Sequence, residues 1–545
     1  MDKKKLPFLV LVIFFGLFLF QTIANITSIP FADYDEAHRA EGARNMRQEG
    51  FYLFPLVGSP YYQQSSFSLS YSLDQTKTLY GQTSRPPLVF NLMAISSGFF
   101  GDVEWAYRLP SLIFGIASFG AIIIAAYFLA KKKPNFFALA VALLAAFTSY
   151  DWWLSSQMAH LDTAISLFTA LAVFLLIIFA QEKNKIFLFL SGFFLALAIL
   201  SKGQPVVIFL FPLVYLFFTR KINFKEALLL GLTAFLVLFP WIAAFDATLG
   251  FGSWFKTYFE GYLSAPSATK IGGGDPTQAA PIFWYLRWWF DTLRPGVFLF
   301  GAFFLLDLIQ KRLSWQKTAL LFYIFGGFGF FSYAKSKVWW YVLPVLPALA
   351  VYLYLAIADY LKERKNGLVN LSLALIVASL PLFLWQTNTI SLAYGLITTL
   401  IVFLILKLPL ANYLSRITDY RFPVASYVLR ITHYFLFPLS FLLGLTFFFF
   451  RFPAPQPIHS ETKDVGQFFQ SLSYPKCLWT EEDFPYEAIL YYSRVGELDY
   501  FGEDKSLKSD CQNYLVASKP LEGQKIIYQN GPVRLYKMDN ASYLD

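Results

Sequence analysis

The sequence predicts a mainly α-helical, polytopic membrane protein with a small α/β domain at its carboxyl end. Three observations predict it. Hydrophobic residues make up 57% of the 545, with a mean hydropathy of +0.49. Apolar stretches of membrane-crossing length recur along the chain, and Lys and Arg gather in short clusters between them. The net charge of +9 follows from those clusters, so no nucleic-acid partner is needed to explain it.

The first stretch runs from Leu6 to about Ile26 behind a basic start, Lys3-Lys4-Lys5, and is long enough for the roughly 30 Å hydrocarbon layer. It lacks an Ala-x-Ala-like cleavage site, which predicts an uncleaved anchor. Lys3 to Lys5 then lie in the cytoplasm, and the acidic run Asp33-Tyr34-Asp35-Glu36 lies at the extracytoplasmic face. Further spans are expected near 108–130, 135–151, 162–180, 186–200, 204–219, 226–245, 296–310, 318–334, 341–360, 367–386, 391–407 and 430–450. With the anchor they total about thirteen. This count puts Lys131 to Lys133, Glu182 to Lys185, Arg220-Lys221, Lys311-Arg312, Lys362 to Lys365 and Arg416 to Arg421 in the cytoplasm.

The count works only if Pro86 to Phe100 is left out, because a crossing there would send Lys131 to Lys133 outside. That stretch is read as an interfacial helix within a first external loop, about 28–107. The other external segments are 152–161, the turn Ser201-Lys202-Gly203, the loop 246–295, the turn Lys335 to Trp340 and everything after about Arg451. Two domains follow: a transmembrane domain, 1–451, and an extracytoplasmic α/β domain, 452–545. The second begins at a Pro-rich linker, Pro453 to Pro457, and carries an amphipathic stretch, Tyr486 to Arg494. Strands are expected at Tyr514 to Val516, Lys525 to Tyr528 and Val533 to Tyr536. The only cysteines, Cys477 and Cys511, both fall there, and either a disulfide or two thiols is compatible with that place.

Topology leaves a set of charged residues unexplained: Asp33, Asp35, Glu36, Arg39, Glu41, Arg85, Asp162, Lys202, Lys335 and Lys337, with Tyr341 beside the last. Any one of them is accounted for by snorkelling or a structural ion pair. All map to one membrane level, and ionisable groups there are costly unless paired or lining a wet cavity, so the set predicts one polar site. A carboxylate there can deprotonate an acceptor hydroxyl while cations hold a phosphate leaving group. Asp35 or Asp33 is the candidate base; Arg85, Lys202 and Lys337 are the cations, and Tyr341 a hydrogen-bond donor. At the lipid boundary the phosphate belongs to a lipid-linked donor, and the chain carries neither a P-loop nor a Rossmann glycine pattern.

At these residues the chain resembles the GT-C type membrane glycosyltransferases, in particular bacterial relatives of protein O-mannosyltransferases and of the aminoarabinose transferase that modifies lipid A. The resemblance covers roughly residues 1–350. Asp35-Glu36 matches the family's Asp-Glu pair, followed by a short amphipathic helix over Ala37 to Met46; Arg85-Pro86-Pro87-Leu88 looks like its Lys-Pro-Pro-Leu. Arg108 to Ser111 resembles its Arg-Leu-Pro-Ser, Asp162 its second-loop aspartate, and Ser201-Lys202-Gly203 its Lys-Gly turn. Ser336 to Pro344 is similar to its Ser-Lys-x-x-x-Tyr-x-x-Pro signature. The resemblance implies transfer of one sugar from a polyprenyl-phosphate donor to a protein, lipid or glycan acceptor on the external side. It points to Asp35, Glu36 and Asp162 for catalysis, and to Arg39, Arg85, Lys202, Lys337 and Tyr341 for the lipid phosphate. Arg in place of Lys at 85 keeps the charge.

Family members often use a divalent metal ion near the lipid phosphate. Some have an acid just before the Lys-Pro pair, where this chain has Thr83-Ser84, so the resemblance leaves a metal cofactor open. Glu260 and His160 are the candidate ligands. Gly272-Gly273-Gly274-Asp275-Pro276 lacks the helix of a phosphate loop and reads as a flexible external loop. The aromatics Trp284-Tyr285 and Trp288-Trp289 suit either a lid over the acceptor or membrane anchors. A transporter or flippase is the competing class, but transporters place charges at the bilayer midplane of repeated halves. Here the charges lie at one face and no repeat is visible. A structural scaffold presenting the tail would not need Asp35 and Lys202 in place.

Overall fold

A chain this apolar leaves its helices two places to go, the interior of a bundle or the lipid around it, and burial separates the two. The computed structural model describes residues 15–16, 19–20, 22–28, 31, 34–57, 68–74, 77–83, 85–131, 133–147, 150–260, 285, 294–333, 339–363, 460–472, 476–480, 499–500, 512–517, 525–530 and 533–538. Asp33, Lys335, Lys337, the glycine run at 272–274, Trp284, Trp288 and Trp289 lie outside the described residues, as do the expected spans after 364, the Pro-rich linker, the stretch 486–494 and Cys511.

Five described helices are long and apolar enough to cross a membrane: Glu104–Leu129, Asp162–Glu182, Lys185–Lys202, Phe224–Leu249 and Trp340–Lys362. We label the first α3 (Glu104–Leu129), the second α6 (Asp162–Glu182), the third α7 (Lys185–Lys202) and the fourth α9 (Phe224–Leu249). Shorter helices overlap the other expected spans between 108 and 360, and one more, Tyr150–Gln157, falls mostly in the expected external segment 152–161. They are α4 (Phe136–Phe147), α5 (Tyr150–Gln157), α8 (Leu210–Phe218) after a 3-10 turn Gln204–Phe209, α10 (Arg294–Ile309) and α11 (Trp315–Tyr333). A 3-10 segment Trp339–Val345 leads into α12 (Leu346–Glu363).

Helix α6 and the span Trp340–Lys362 that ends in α12 sit inside the bundle, with 94% and 89% of their spanning windows buried. Helices α7 and α9 form the wall, with Leu228, Leu232, Leu236 and Phe239 of α9 exposed, as a lipid-facing surface requires. The wall closes tightly at Gly192, where a side-chain carbon would stand 2.7 Å from the Leu230 carbonyl. Lys131, Lys183, Arg220 and Lys311 each take a left-handed conformation just past a helix end, where a cation also faces the negative end of the helix dipole. Lys317, wholly buried, joins three helices by binding Asp307 of α10 (3.0 Å) and Asp359 of α12 (3.1 Å), while the Tyr352 hydroxyl donates to Asp307. Reading the spans as uniformly apolar missed that network. Its signal was the three charges interrupting apolar runs.

The segment before α3 holds two further helices, α1 (Tyr34–Glu49) and α2 (Leu88–Phe100). With 13 residues α2 is about 20 Å long, too short to cross, and it exposes Ile95, Phe99 and Phe100 on one side. The expectation for α1 needs correction. An amphipathic helix leaves one face in water, yet every residue from Glu36 to Met46 is buried, which its charges tolerate by pairing with neighbours. Between them lies a sheet the sequence reading missed: β1 (Leu56–Val57), β2 (Ser68–Asp74) and β3 (Lys77–Gln82), antiparallel in the order β1-β3-β2. The alternation Ser68-Leu69-Ser70-Tyr71-Ser72-Leu73 was the available signal.

The C-terminal residues form α13 (Ser460–Ser471) and a mixed sheet of β4 (Lys476–Thr480), β5 (Asp499–Tyr500), β6 (Gln512–Ala517), β7 (Ile526–Asn530) and β8 (Val533–Met538). The order is β5-β4-β6-β8-β7, with β4 parallel to both neighbours and the rest antiparallel. Val465 and Phe469 of α13 pack with Tyr514, Val516, Val533 and Leu535. The three expected strands are present; β4, which carries Cys477, and α13 were missed. Lys463 of α13 binds Glu104 at the start of α3 (2.5 Å), which sets the C-terminal helix beside the α3 end of the bundle.

Candidate active site

Helical spacing brings Asp35 and Arg39 to neighbouring positions on α1, and their side chains pair at 2.6 Å. Glu36, one residue on, points elsewhere. Both its oxygens are held by Arg108 of α3, at 2.6 and 2.9 Å, and Oε1 also accepts the Ala159 amide at 2.9 Å. Arg39 donates to the Ala159 carbonyl (3.3 Å), so α1 grips both backbone polar groups of Ala159. Ser111 completes the support: its hydroxyl donates to the His160 carbonyl (2.8 Å) and accepts the His160 amide (3.1 Å). Two residues later α6 begins at Asp162.

Asp162 is buried and binds Lys202, the last residue of α7, at 2.5 Å. The Lys202 ammonium also lies 4.8 Å from the centre of the Tyr341 ring, a cation–π contact. Tyr341, expected to donate a hydrogen bond to phosphate through its hydroxyl, meets that lysine with its ring. Past Lys202 the chain turns at Gly203 with φ +79°, a conformation that favours glycine, and a side-chain carbon there would lie 3.7 Å from Pro86. That contact brings the segment carrying the exposed Arg85 to the Lys202 turn. From the other side, the Tyr258 hydroxyl donates to the Thr83 carbonyl (2.6 Å). Tyr258 sits in a π turn, Lys256–Glu260, packed on Trp241, Phe245 and Trp254.

Charge ties these pieces together. Burial raises the Asp35 carboxyl, but Arg39, Arg85, His160 and His38 outweigh it and bring its pKa down to about 2. Burial pushes the His38 imidazole down to about 4 against the pull of Asp35. Its Nε2 lies 2.7 Å from the Gln82 amide nitrogen. An amide nitrogen can only donate, so the ring nitrogen accepts and His38 is neutral. Neither His38 nor Gln82 was singled out from sequence, since nothing local marks their pairing.

His160 is buried, edge-on to Trp340, with Nδ1 3.8 Å from Asp162 Oδ2. Glu260 closes the π turn, and its side chain is outside those described. Among the described residues no group of three or more His, Cys, Asp or Glu is placed to hold a metal ion. The described residues therefore do not make a metal site.

Residues 84–243, which contain Arg85, Arg108, Asp162 and Lys202, match the sequence profile of the family described as dolichyl-phosphate-mannose-protein mannosyltransferase. This region is similar to that mannosyltransferase family. The chain is 22% identical over 380 residues to the undecaprenyl phosphate-alpha-4-amino-4-deoxy-L-arabinose arabinosyl transferase of Shewanella sediminis, covering 68% of this chain and 63% of that protein. It is 25% identical over 295 residues to transferase 1 of the same description from Proteus mirabilis, covering 52% and 50%. The matches thus span less than two thirds of these curated relatives. In fold, the chain is similar to ArnT from Cupriavidus metallidurans, solved bound to undecaprenyl phosphate, with a TM-score of 0.63 over 96% of this chain and 97% of that one at 16% identity. The region that matches the mannosyltransferase profile thus sits in a multi-span helical membrane fold that ends in a small sheet.

Proposed function

We propose that the protein is an integral membrane glycosyltransferase that moves a sugar from a polyprenyl-phosphate donor to an acceptor hydroxyl at the extracytoplasmic face. The observation that carries this reading is the meeting of Asp35-Arg39, Arg85 and Asp162-Lys202 around one peptide turn at one end of the bundle. The family of residues 84–243 and the names of the relatives support a lipid-linked donor, with undecaprenyl-phosphate aminoarabinose as the first candidate. In the proposed step the acceptor oxygen bonds to the anomeric carbon while the bond from that carbon to the lipid phosphate breaks. The phosphate leaves with the electron pair, onto Arg85 and Lys202, and Asp35 takes the acceptor proton. A carboxylate with so low a pKa accepts that proton late, once bond formation has acidified the acceptor.

Within this reading Arg39 and Asp162 are positioning residues for Asp35 and Lys202, and Glu36 holds α1 to α3 rather than meeting substrate. Lys337 belongs with the phosphate-binding cations on the strength of its motif. About thirteen spans, with residues 1–451 in the membrane domain and 452–545 outside, complete the proposal. The test is release of polyprenyl phosphate by protein reconstituted with the donor and a membrane extract as acceptor. Asp35→Asn is expected to lower the rate about 10²–10⁴-fold in protein that still melts cooperatively, at a melting temperature reduced by the unpairing of Arg39. A variant as fast as wild type would remove Asp35 as the base.

A further inference from the structure

Far from Asp35, where α6 has run its 21 residues, about 30 Å, from Asp162, the bundle holds a cavity of about 550 Å³. Lys131, Gln181, Glu182, Lys221, Trp315 and Gln316 line it. The left-handed turn at Lys131 ends α3 on its rim, and Gln181 ties two walls by donating to the Phe128 carbonyl (3.1 Å) while accepting from Gln316 (3.4 Å). The Lys221 ammonium stands 5.1 Å from the centre of the Trp315 ring, and its backbone carbonyl is fixed by the Lys183 ammonium at 2.6 Å.

The charges here do not cancel. Lys131 and Lys221 outnumber the one carboxylate of the lining, Glu182, which accepts from Gln181, and Glu226 holds Lys183. Among the described residues no carboxylate pairs with Lys131 or Lys221. Two cations therefore converge on a cavity at the ends of crossing helices, with an indole at the same level. On either side of Lys221 the chain exposes large apolar rings, Phe218 at 78% and Phe224 at 69%. A soluble anion would have no use for those rings, whereas a lipid would lay its acyl chains against them.

We propose that this cavity binds the phosphodiester headgroup of an anionic membrane lipid, with Lys131 and Lys221 on the phosphate and Trp315 as its floor. It is separate from the site around Asp35 and does not depend on the transfer reaction. The test compares melting of the full-length protein in nanodiscs of phosphatidylcholine alone and with phosphatidylglycerol. Wild type and the Lys131→Arg/Lys221→Arg variant are expected to melt higher with phosphatidylglycerol. The Lys131→Gln/Lys221→Gln variant is expected to lose that rise while matching wild type in phosphatidylcholine; Lys221→Gln alone is read the same way where the double variant does not fold. No rise in wild type, the same rise in the Gln variants, or an equal rise from inorganic phosphate in phosphatidylcholine would overturn the proposal.

Discussion

Asp35 and His38 stand one turn apart on α1, and both favour their deprotonated forms, the carboxyl against its burial through Arg39 and Arg85, the ring chiefly through burial. The consequence for stability lies with His38. Its pKa is about 6.5 in an unfolded chain and about 4 here, so the neutral ring's full contribution is present above pH 6.5. It is lost as pH falls toward 4, because the unfolded chain takes up the proton first, a loss on the order of 3 kcal/mol. Melting followed between pH 7 and 4 should fall more steeply for wild type than for His38→Gln. Equal slopes would mean that the ring is not held neutral. Asp35 and Arg39 were legible as a close pair from their spacing alone. His38 was not, because its partner Gln82 comes from a strand whose pairing depends on the rest of the first loop.

At the scale of elements, Glu36 and Arg108 join the buried helix α1 to the spanning helix α3. Sequence reading marked both positions but gave them separate meanings, since 72 residues separate them and no local pattern links such partners. Removing one member of a buried pair leaves the other uncompensated, at a cost of about 3–5 kcal/mol. Arg108→Met should lower the melting temperature in detergent, and adding Glu36→Gln should restore part of it. If Arg108→Met melts like wild type, the pair does not hold the two helices. The five long spanning helices were legible almost to their ends, because crossing length and apolar composition are properties of a contiguous stretch. The loop sheet β1-β3-β2 was obscured because its strands are short and rich in serine.

For the molecule as a whole, the basic loop residues Lys131 and Lys221 line one cavity, and Lys463 reaches Glu104 at the far end of α3. The C-terminal helix and the basic loops are therefore at opposite ends of the bundle. In a Cys477→Ser/Cys511→Ser background, a cysteine at Ser471 should be labelled from outside intact cells, and one at Lys183 only after permeabilisation. The reverse result would invert the orientation while leaving the fold intact. By itself, the sequence determined that the chain is a helical membrane protein, where its five long described spans lie, and which charges have no topological duty. Those are matters of composition and spacing along a line. Only the tertiary structure decided how those charges divide: Asp35 with Arg39, Glu36 with Arg108, Asp162 with Lys202. The physical reason is that a buried charge must find its counterpart in space, and in this bundle that partner often comes from a distant helix.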